Sequence, residues 1–152
     1  MSGPALLLFR SDWPAYEAHL YTIFLAEIAQ GRLIFRGDRV SRRRLPETAG
    51  KWAAFWHLVQ QGKVEDDRLP HVRRCERLRW VRYLIEAWNT DSDIQWWENK
   101  RGSETNVLLW YRQEYFVILS KRDGYWLLKS AYETDQIHRI LTLLADMVAR
   151  RS

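Results

Sequence analysis

An acid and two bases closely follow a pair of tryptophans in the stretch WWENKRG, residues 96–102. If this stretch forms a β-strand, alternation places Glu98 and Lys100 on the same face and Arg101 at the end of the strand. The carboxylate can then act as a general base while the two cations stabilise the charge of a reacting phosphate. The same residues also suit a surface ion pair that contributes well under about 1 kcal/mol. The charges alone therefore leave phosphate chemistry and an ordinary ion pair open.

His57 is the second candidate for acid–base chemistry. It lies in AAFWHLV, within the apolar part of a predicted helix, and histidine side chains titrate near neutral pH. A lone histidine at such a position is also commonly a structural residue. His71 falls in a charged segment close to several arginines and is a candidate phosphate ligand. Four scattered histidines and a single cysteine, Cys75, predict neither a metal site nor a disulfide framework, so we expect no cofactor.

Two short segments hold all of the excess positive charge. The net charge is +5, whereas residues 36–44 have five arginines against one aspartate and residues 68–82 have six arginines against one glutamate. The planar guanidinium group matches phosphate oxygens, which favours a nucleic-acid partner over two solvated basic faces. The candidate RNA ligands in these segments are Arg42, Arg43, Arg44, Arg73 and Arg77.

Hydroxyl groups and aromatic rings complete the set of candidates. Ser130 and Tyr132, in the run LLKSAY, share one face of a predicted strand and can donate hydrogen bonds to a phosphate. Their β propensity alone also explains their presence. The chain has nine tryptophans, many of which must belong to the core, while exposed ones are suited to stacking on bases.

Helical patterns occupy the first half of the chain. One helix is predicted for residues 13–30, with Ser11 or Asp12 as its N-cap, and a second for residues 48–61. A short β-hairpin is predicted between them, and helical spacing is clear in the second half of residues 73–88. These elements must position His57 and both arginine-rich segments.

The spacing changes from helical to alternating near residue 93. Short connections, including the turn-forming pair Asp123–Gly124, predict an antiparallel meander. A last helix is predicted to end near Arg150. The fold class is therefore α+β: N-terminal helices, a four-stranded antiparallel β-meander covered on one face, and a C-terminal helix. The four strands are predicted near residues 93–100, 105–112, 115–121 and 125–132.

Length and hydropathy predict one cytoplasmic domain, residues 1–152, with residues 1–32 as an N-terminal helical extension. No apolar run approaches the roughly 18 residues that a membrane-spanning helix needs. The beginning, MSGPALLLF, has no basic residue before its short apolar run and makes a poor signal peptide. We therefore expect no membrane association.

From about Gly50 onward, four segments carry a resemblance to a known family: GKWAAFWHLV, RRCERLRWVRYLIE, WENKRGSETNVLLWY and YFVILSKRDGYWLLKSAY. Together they resemble the phage-associated branch of the barnase–EndoU–colicin–RelE (BECR) nuclease superfamily. The resemblance covers roughly Phe35 to the C-terminus. Where that branch has Thr-Ala-Tyr in its last strand, this chain has Ser130, Ala131 and Tyr132, which keeps the hydroxyl group. The matching site positions are His57, Arg74, Glu76, Arg77, Glu98, Lys100 and Arg101.

The resemblance implies metal-independent RNA cleavage at the sheet face and nearby helices, often by toxins of toxin–antitoxin pairs or of phage and inter-bacterial conflict. The expected protein is an endoribonuclease toxin in which the RNA 2′-hydroxyl attacks the phosphate. His57 or Glu98 is the expected base and the other the acid, with Arg74, Lys100 and Arg101 stabilising charge. An acidic antitoxin or immunity protein is the expected partner. The alternatives are a nucleic-acid-binding module that does not cut, and a phage-derived protein whose arginines contact acidic protein surfaces.

Overall fold

The computed structural model describes residues 3–61, 69–70, 72–134 and 137–151. Among these residues no helix is both long enough and apolar enough to cross a membrane. The helices are α1 (Trp13–Phe24), which continues as a π-helical turn (Leu25–Ala29), α2 (Ala53–Val59), α3 (Val72–Glu76), α4 (Leu78–Ala87) and α5 (Ile137–Arg151). The strands are β1 (Ile34–Phe35), β2 (Asp38–Ser41), β3 (Gln60–Gln61), β4 (Leu69–Pro70), β5 (Ile94–Arg101), β6 (Glu104–Tyr111), β7 (Tyr115–Arg122) and β8 (Tyr125–Glu133).

The first helix begins where the sequence provides its capping group. The Asp12 Oδ1 atom accepts a hydrogen bond from the Ala15 amide at 3.2 Å, and Pro14 occupies the first turn. The helix predicted for residues 13–30 is confirmed as α1 and its π-helical turn, and the N-terminal extension shares the main core. The buried apolar stripe consists of Tyr16, Leu20, Phe24 and Ile28.

The second helix is shorter than predicted. The backbones of Thr48 and Lys51 exchange two hydrogen bonds of 3.0 Å around a tight turn, in which Gly50 has a φ angle of 73°. This conformation is left-handed and incompatible with a continuous helix. Helix α2 therefore begins only at Ala53.

The predicted meander is confirmed, but it is part of a larger sheet. Strands β5 to β8 pair antiparallel in chain order, and β1 and β2 form the predicted hairpin. Strand β2 also pairs in parallel with β8, joining Val40 to Trp126 and Ser41 to Leu127. The result is a six-stranded mixed sheet of order β1-β2-β8-β7-β6-β5, which curls into a half-barrel. The parallel pair was not predicted, because its strands lie far apart in sequence.

Both faces of the sheet are covered. Alternate residues such as Val107 and Leu109 face the main core, which α1, α2 and α4 complete. Their neighbours Leu108 and Trp110 face a smaller cluster that includes Met147 of α5. The prediction of a sheet covered on one face is therefore wrong, and α5 covers the second face.

Candidate functional site

A pocket of about 210 Å³ opens between α2, the segment that precedes it and β8. The polar residues that line it are His57, Arg43, Lys129 and Ser130, of which the first three are exposed. An accessible imidazole beside cationic and hydroxyl groups is suited to phosphate binding and proton transfer. The remaining lining residues are Leu45, Pro46, Ala53, Ala54, Trp56, Leu58 and Leu128.

Backbone hydrogen bonds bring Arg43 and His57 to the same pocket. The chain reverses between β2 and α2, and the carbonyl oxygen of Arg43 accepts a hydrogen bond from the Ala54 amide at 2.9 Å. Trp56 is fixed by its indole Nε1, which donates to the Thr48 carbonyl at 2.9 Å. The start of α2 and the arginine-rich segment are therefore held side by side.

The edge of β8 forms the other wall. Strand β2 pairs with β8 at Trp126 and Leu127, and among the described residues no other strand lies beside β8 on that side. Helices α2 and α3 contact β8 along this stretch. The unpredicted parallel pair thus determines where the pocket lies.

Lys129 is tied to an acidic residue of the sheet. Its Nζ atom lies 2.8 Å from Glu104 Oε2, and the Ser120 hydroxyl donates to Glu104 Oε1 at 2.9 Å. The hydrogen bond from Lys129, followed by that from Ser120, lowers the pKa of Glu104 to about 2. Among the described residues Arg43 forms no ion pair, so Arg43 is the lining cation whose charge is most available to a ligand.

Glu98 lies in a different environment, where Arg36 contacts both it and several aromatic rings. The Nη1 atom of Arg36 is 2.8 Å from Glu98 Oε1. Its guanidinium carbon lies 5.0 Å from the Trp88 ring centre and 5.1 Å from that of Trp96, with Phe35 and Trp126 at 5.3 and 5.9 Å. The arrangement gives the WWENKRG stretch a structural explanation: Trp96 and Glu98 together hold the arginine of the β1–β2 turn.

The structure does not bring His57 and Glu98 together. Strand register aligns Glu98 with Val107, Leu119 and finally Leu128, which lines the His57 pocket. Three strand spacings of about 4.8 Å separate the two ends of this row, about 14 Å along the sheet. Val107 and Leu119 between them are fully buried core residues.

Three further predicted site residues are Lys100 and Arg101 on β5 and His71, which precedes α3. Lys100 is exposed on β5 on the same face as Glu98. Arg101 pairs through its backbone with Glu104, and its side chain lies outside the part of the chain that is described. His71 also lies outside the described residues.

Part of the predicted basic surface satisfies backbone carbonyl groups instead. Arg42 donates to the carbonyl oxygens of Ala29, at 2.9 Å, and Val40. Burial, together with the nearby charges of Arg39 and Arg82, lowers the pKa of the Arg42 guanidinium. Helix ends leave carbonyl groups without internal partners, and Arg42 satisfies one at the end of the π-helical turn. It is therefore a structural residue in this fold.

The remaining arginines differ in exposure and in partners. Arg44 is exposed and forms an ion pair of 2.8 Å with Glu47. Arg73 is exposed on α3, and its carbonyl accepts a hydrogen bond from Arg77 at 3.1 Å. Arg77 also lies over the Trp80 ring, with its guanidinium carbon 5.2 Å from the ring centre. These contacts leave Arg73 and Arg44 facing solvent and Arg77 largely within the fold.

Arg74 connects α3 to the end of α2 and to β8. Its Nη1 atom donates to the Gln60 carbonyl at 2.7 Å, and its Nε atom is 3.6 Å from Glu133 Oε2. Its guanidinium carbon lies 5.8 Å from the centre of the Tyr132 ring. Tyr132 is therefore close to a predicted site residue, although it lies outside the pocket lining.

Sequence reasoning missed two residues of this region. Trp56 belongs to the apolar run AAFWHLV, where the sequence distinguishes it in no way from core residues, but it lines the pocket beside His57. Arg139 of α5 donates to the Tyr132 hydroxyl at 2.6 Å, with its guanidinium carbon 4.5 Å from the ring centre. No local signal identifies Arg139, because its contact depends on how α5 crosses the sheet.

Comparison with models of protein families, with curated proteins and with solved structures finds no match to this chain. The resemblance to the BECR superfamily therefore stays a prediction. Within the described ranges, no group of three or more histidine, cysteine, aspartate or glutamate side chains is placed to hold a metal ion.

Proposed function

We propose that the protein is a metal-independent endoribonuclease that holds an RNA phosphodiester in the His57 pocket. The observation that carries the proposal is the grouping of an exposed imidazole, Arg43 and Ser130 around one cavity. RNA provides its own nucleophile, the 2′-hydroxyl, so cleavage needs proton transfer and charge stabilisation but no external nucleophile. The motif resemblance to BECR nucleases supports the same reaction.

The reaction assigns a role to three of the four polar residues that line the pocket. His57 takes the proton of the 2′-hydroxyl as its oxygen attacks phosphorus. Arg43 and the Ser130 hydroxyl stabilise the negative charge that develops on the phosphate oxygens. The bond to the 5′-oxygen breaks, that oxygen takes a proton from water, and the product ends in a 2′,3′-cyclic phosphate. The hydroxide left by the water takes the proton from His57, which restores the base.

Trp56 and the pocket volume support a single-stranded substrate. A volume of about 210 Å³ is below the roughly 300–1,000 Å³ of ordinary small-molecule sites, so it suits a phosphate with its ribose. The Trp56 ring at the same pocket can stack on an unpaired base, a contact that contributes about 1–3 kcal/mol per base. Bases within a duplex are not available for such stacking.

Glu98, Lys100 and Arg101 have no step in this reaction, because β5 is three strands away from β8. A ribonuclease acting on cellular RNA also threatens the cell that produces it, so an inhibitor is needed. The positive charge of the pocket favours an acidic antitoxin or immunity protein that covers it. In this proposal the protein acts as a toxin in the cytoplasm, where RNA is present.

The test is cleavage of total bacterial RNA in EDTA by the purified protein. His57→Ala should slow cleavage by about 10²–10⁴-fold, the usual contribution of a general acid–base group. His138→Ala is the matched control, since His138 is also exposed but lies on α5, outside the pocket. Wild-type protein should leave 2′,3′-cyclic phosphate ends. Equal cleavage by both variants would contradict the assignment of His57.

A second candidate function is RNA binding without cleavage. The described pocket lining contains His57 but no carboxylate, so it provides a single acid–base group. Metal-free cleavage is most efficient with two such groups, a base for the 2′-hydroxyl and an acid for the 5′-oxygen. Intact RNA in the presence of the wild-type protein, with binding that weakens steeply as salt increases, would favour this function.

A further inference from the structure

The pocket occupies only part of the edge of β8 that, in the described part of the chain, has no strand beside it after Leu127. Ser130, which lines it, pairs with Ile118 of β7, and Tyr132 pairs with Phe116. Ser130 and Tyr132 therefore share a face of the strand. At about 3.3 Å per residue, their backbones are about 7 Å apart. This spacing would place Tyr132 about one nucleotide away from a phosphate bound in the pocket.

Two guanidinium groups converge on the Tyr132 ring. The Arg139 carbon lies 4.5 Å from the ring centre and the Arg74 carbon 5.8 Å from it. Arg139 also donates through Nη2 to the Tyr132 hydroxyl at 2.6 Å. The ring itself packs against Phe116, with centres 5.2 Å apart, so it is a fixed support for both cations.

The charges at this position are not balanced. Arg74 has a carboxylate neighbour, Glu133, at 3.6 Å. Arg139 is exposed, and in the described part of the chain it forms no ion pair. The Tyr132 side chain is neutral, so its contact with Arg139 does not cancel the arginine charge. Arg139, Arg74 and Glu133 together therefore carry a net positive charge beside the edge of β8.

We propose that Arg139 and Tyr132, with Arg74 beside them, form a second phosphate subsite one nucleotide away from the His57 pocket. Its ligand is the adjacent phosphate of a single-stranded RNA that runs along β8. The inference rests on the proposed function, because it assumes that a first phosphate occupies the pocket. Guanidinium groups bind phosphate oxygens through paired hydrogen bonds, and the Tyr132 hydroxyl positions Arg139 for this contact.

The test measures binding of 2′-O-methyl RNA, which lacks the nucleophile and cannot be cleaved by this reaction. Fluorescence anisotropy across a range of KCl concentrations gives the affinity and its salt dependence. Arg139→Gln should weaken binding about tenfold and reduce the slope of log K against log salt by about 0.7, the value for one phosphate of a single strand. Arg39→Gln is the control, because Arg39 is likewise exposed and stacks on a tyrosine of β8, Tyr125, at 4.7 Å.

Ligand length provides a second readout. A 2′-O-methyl trinucleotide with two phosphates should bind the wild-type protein more tightly than a dinucleotide with one, and Arg139→Gln should remove that gain. Arg139→Lys should restore part of it, since the charge returns without the planar fork.

The outcomes separate this inference from the proposed function. If wild-type protein cleaves RNA through His57 but Arg139→Gln and Arg39→Gln bind alike, the subsite is refuted and the ribonuclease proposal stands. If the wild-type protein neither binds nor cleaves single-stranded RNA, both are refuted. Loss of affinity in Arg139→Gln alone, with an unchanged melting temperature, supports the subsite.

Discussion

Replacing Arg36 by alanine should destabilise the protein more than replacing Glu98 by glutamine. The Arg36 guanidinium lies 5.0–5.9 Å from the centres of four aromatic rings, and a cation–π contact at a partly exposed site contributes about 0.5–1 kcal/mol. The rings share one cation, so the contributions are not additive, but the packing of the arginine stem is lost as well. We expect a loss of about 2–3 kcal/mol in the free energy of unfolding for Arg36→Ala.

Glu98→Gln removes only the ion pair with Arg36. Because 46% of the Glu98 side chain is exposed, solvent screens this pair, and we expect a loss of about 0.2–1 kcal/mol. Arg36→Lys should fall between the two single variants, since an ammonium group stacks less well on aromatic rings. The double variant should be little worse than Arg36→Ala, because both replacements remove the same pair.

Urea unfolding, followed by tryptophan fluorescence and far-ultraviolet circular dichroism, measures these differences. For a chain of this length, a change of 1 kcal/mol in the free energy of unfolding corresponds to a change of about 2–4 °C in the melting temperature. Lys100→Gln is the control, because Lys100 is exposed on the same strand and face. A Glu98→Gln variant that keeps its stability but loses RNA cleavage would refute this reasoning and restore Glu98 as a catalytic residue.

Adjacent arginines should behave differently: Arg42→Gln should lower the free energy of unfolding by about 1–3 kcal/mol, because the Ala29 carbonyl loses its charged donor. Arg43→Gln should change the free energy of unfolding by less than about 0.5 kcal/mol but weaken RNA binding. If urea unfolding showed the large loss for Arg43→Gln instead, and anisotropy showed the weaker RNA binding for Arg42→Gln, the roles assigned to both arginines would be contradicted. For Glu104, the pKa is about 2 in the folded protein against an ordinary 4.5, first because of the hydrogen bond from Lys129. The ionised Glu104 therefore contributes to stability above pH 4.5, and this contribution is lost as the pH falls toward 2. The free energy of unfolding of Glu104→Gln should consequently depend less on pH in this window than that of the wild type. Identical slopes for the two proteins would show that the contacts of Glu104 do not stabilise the folded state.

Local signals in the sequence determined the antiparallel meander. Strands β5 to β8 alternate in polarity and are joined by short turns, one of which contains Asp123 and Gly124. A tight turn sets the register of the two strands that it joins, so no distant contact is needed. The Asp12 cap and the apolar stripe of α1 are equally local.

Side-chain chemistry also identified part of the candidate site. His57, Arg43 and Ser130 were all selected from the sequence, and the structure groups them around one pocket. Charge was less informative, because it does not reveal the nearest partner. Arg42 satisfies backbone carbonyls, and Glu98 pairs with an arginine of a distant turn.

Only the tertiary structure decided where these groups meet. The parallel pairing of β2 with β8 ends at Leu127, and this leaves the strand edge along which α2 and α3 lie. The contact of Arg139 with Tyr132 likewise depends on the docking of α5 across the sheet. Residues so far apart in sequence come together because the whole core must pack at once, and a local pattern contains no information about that packing.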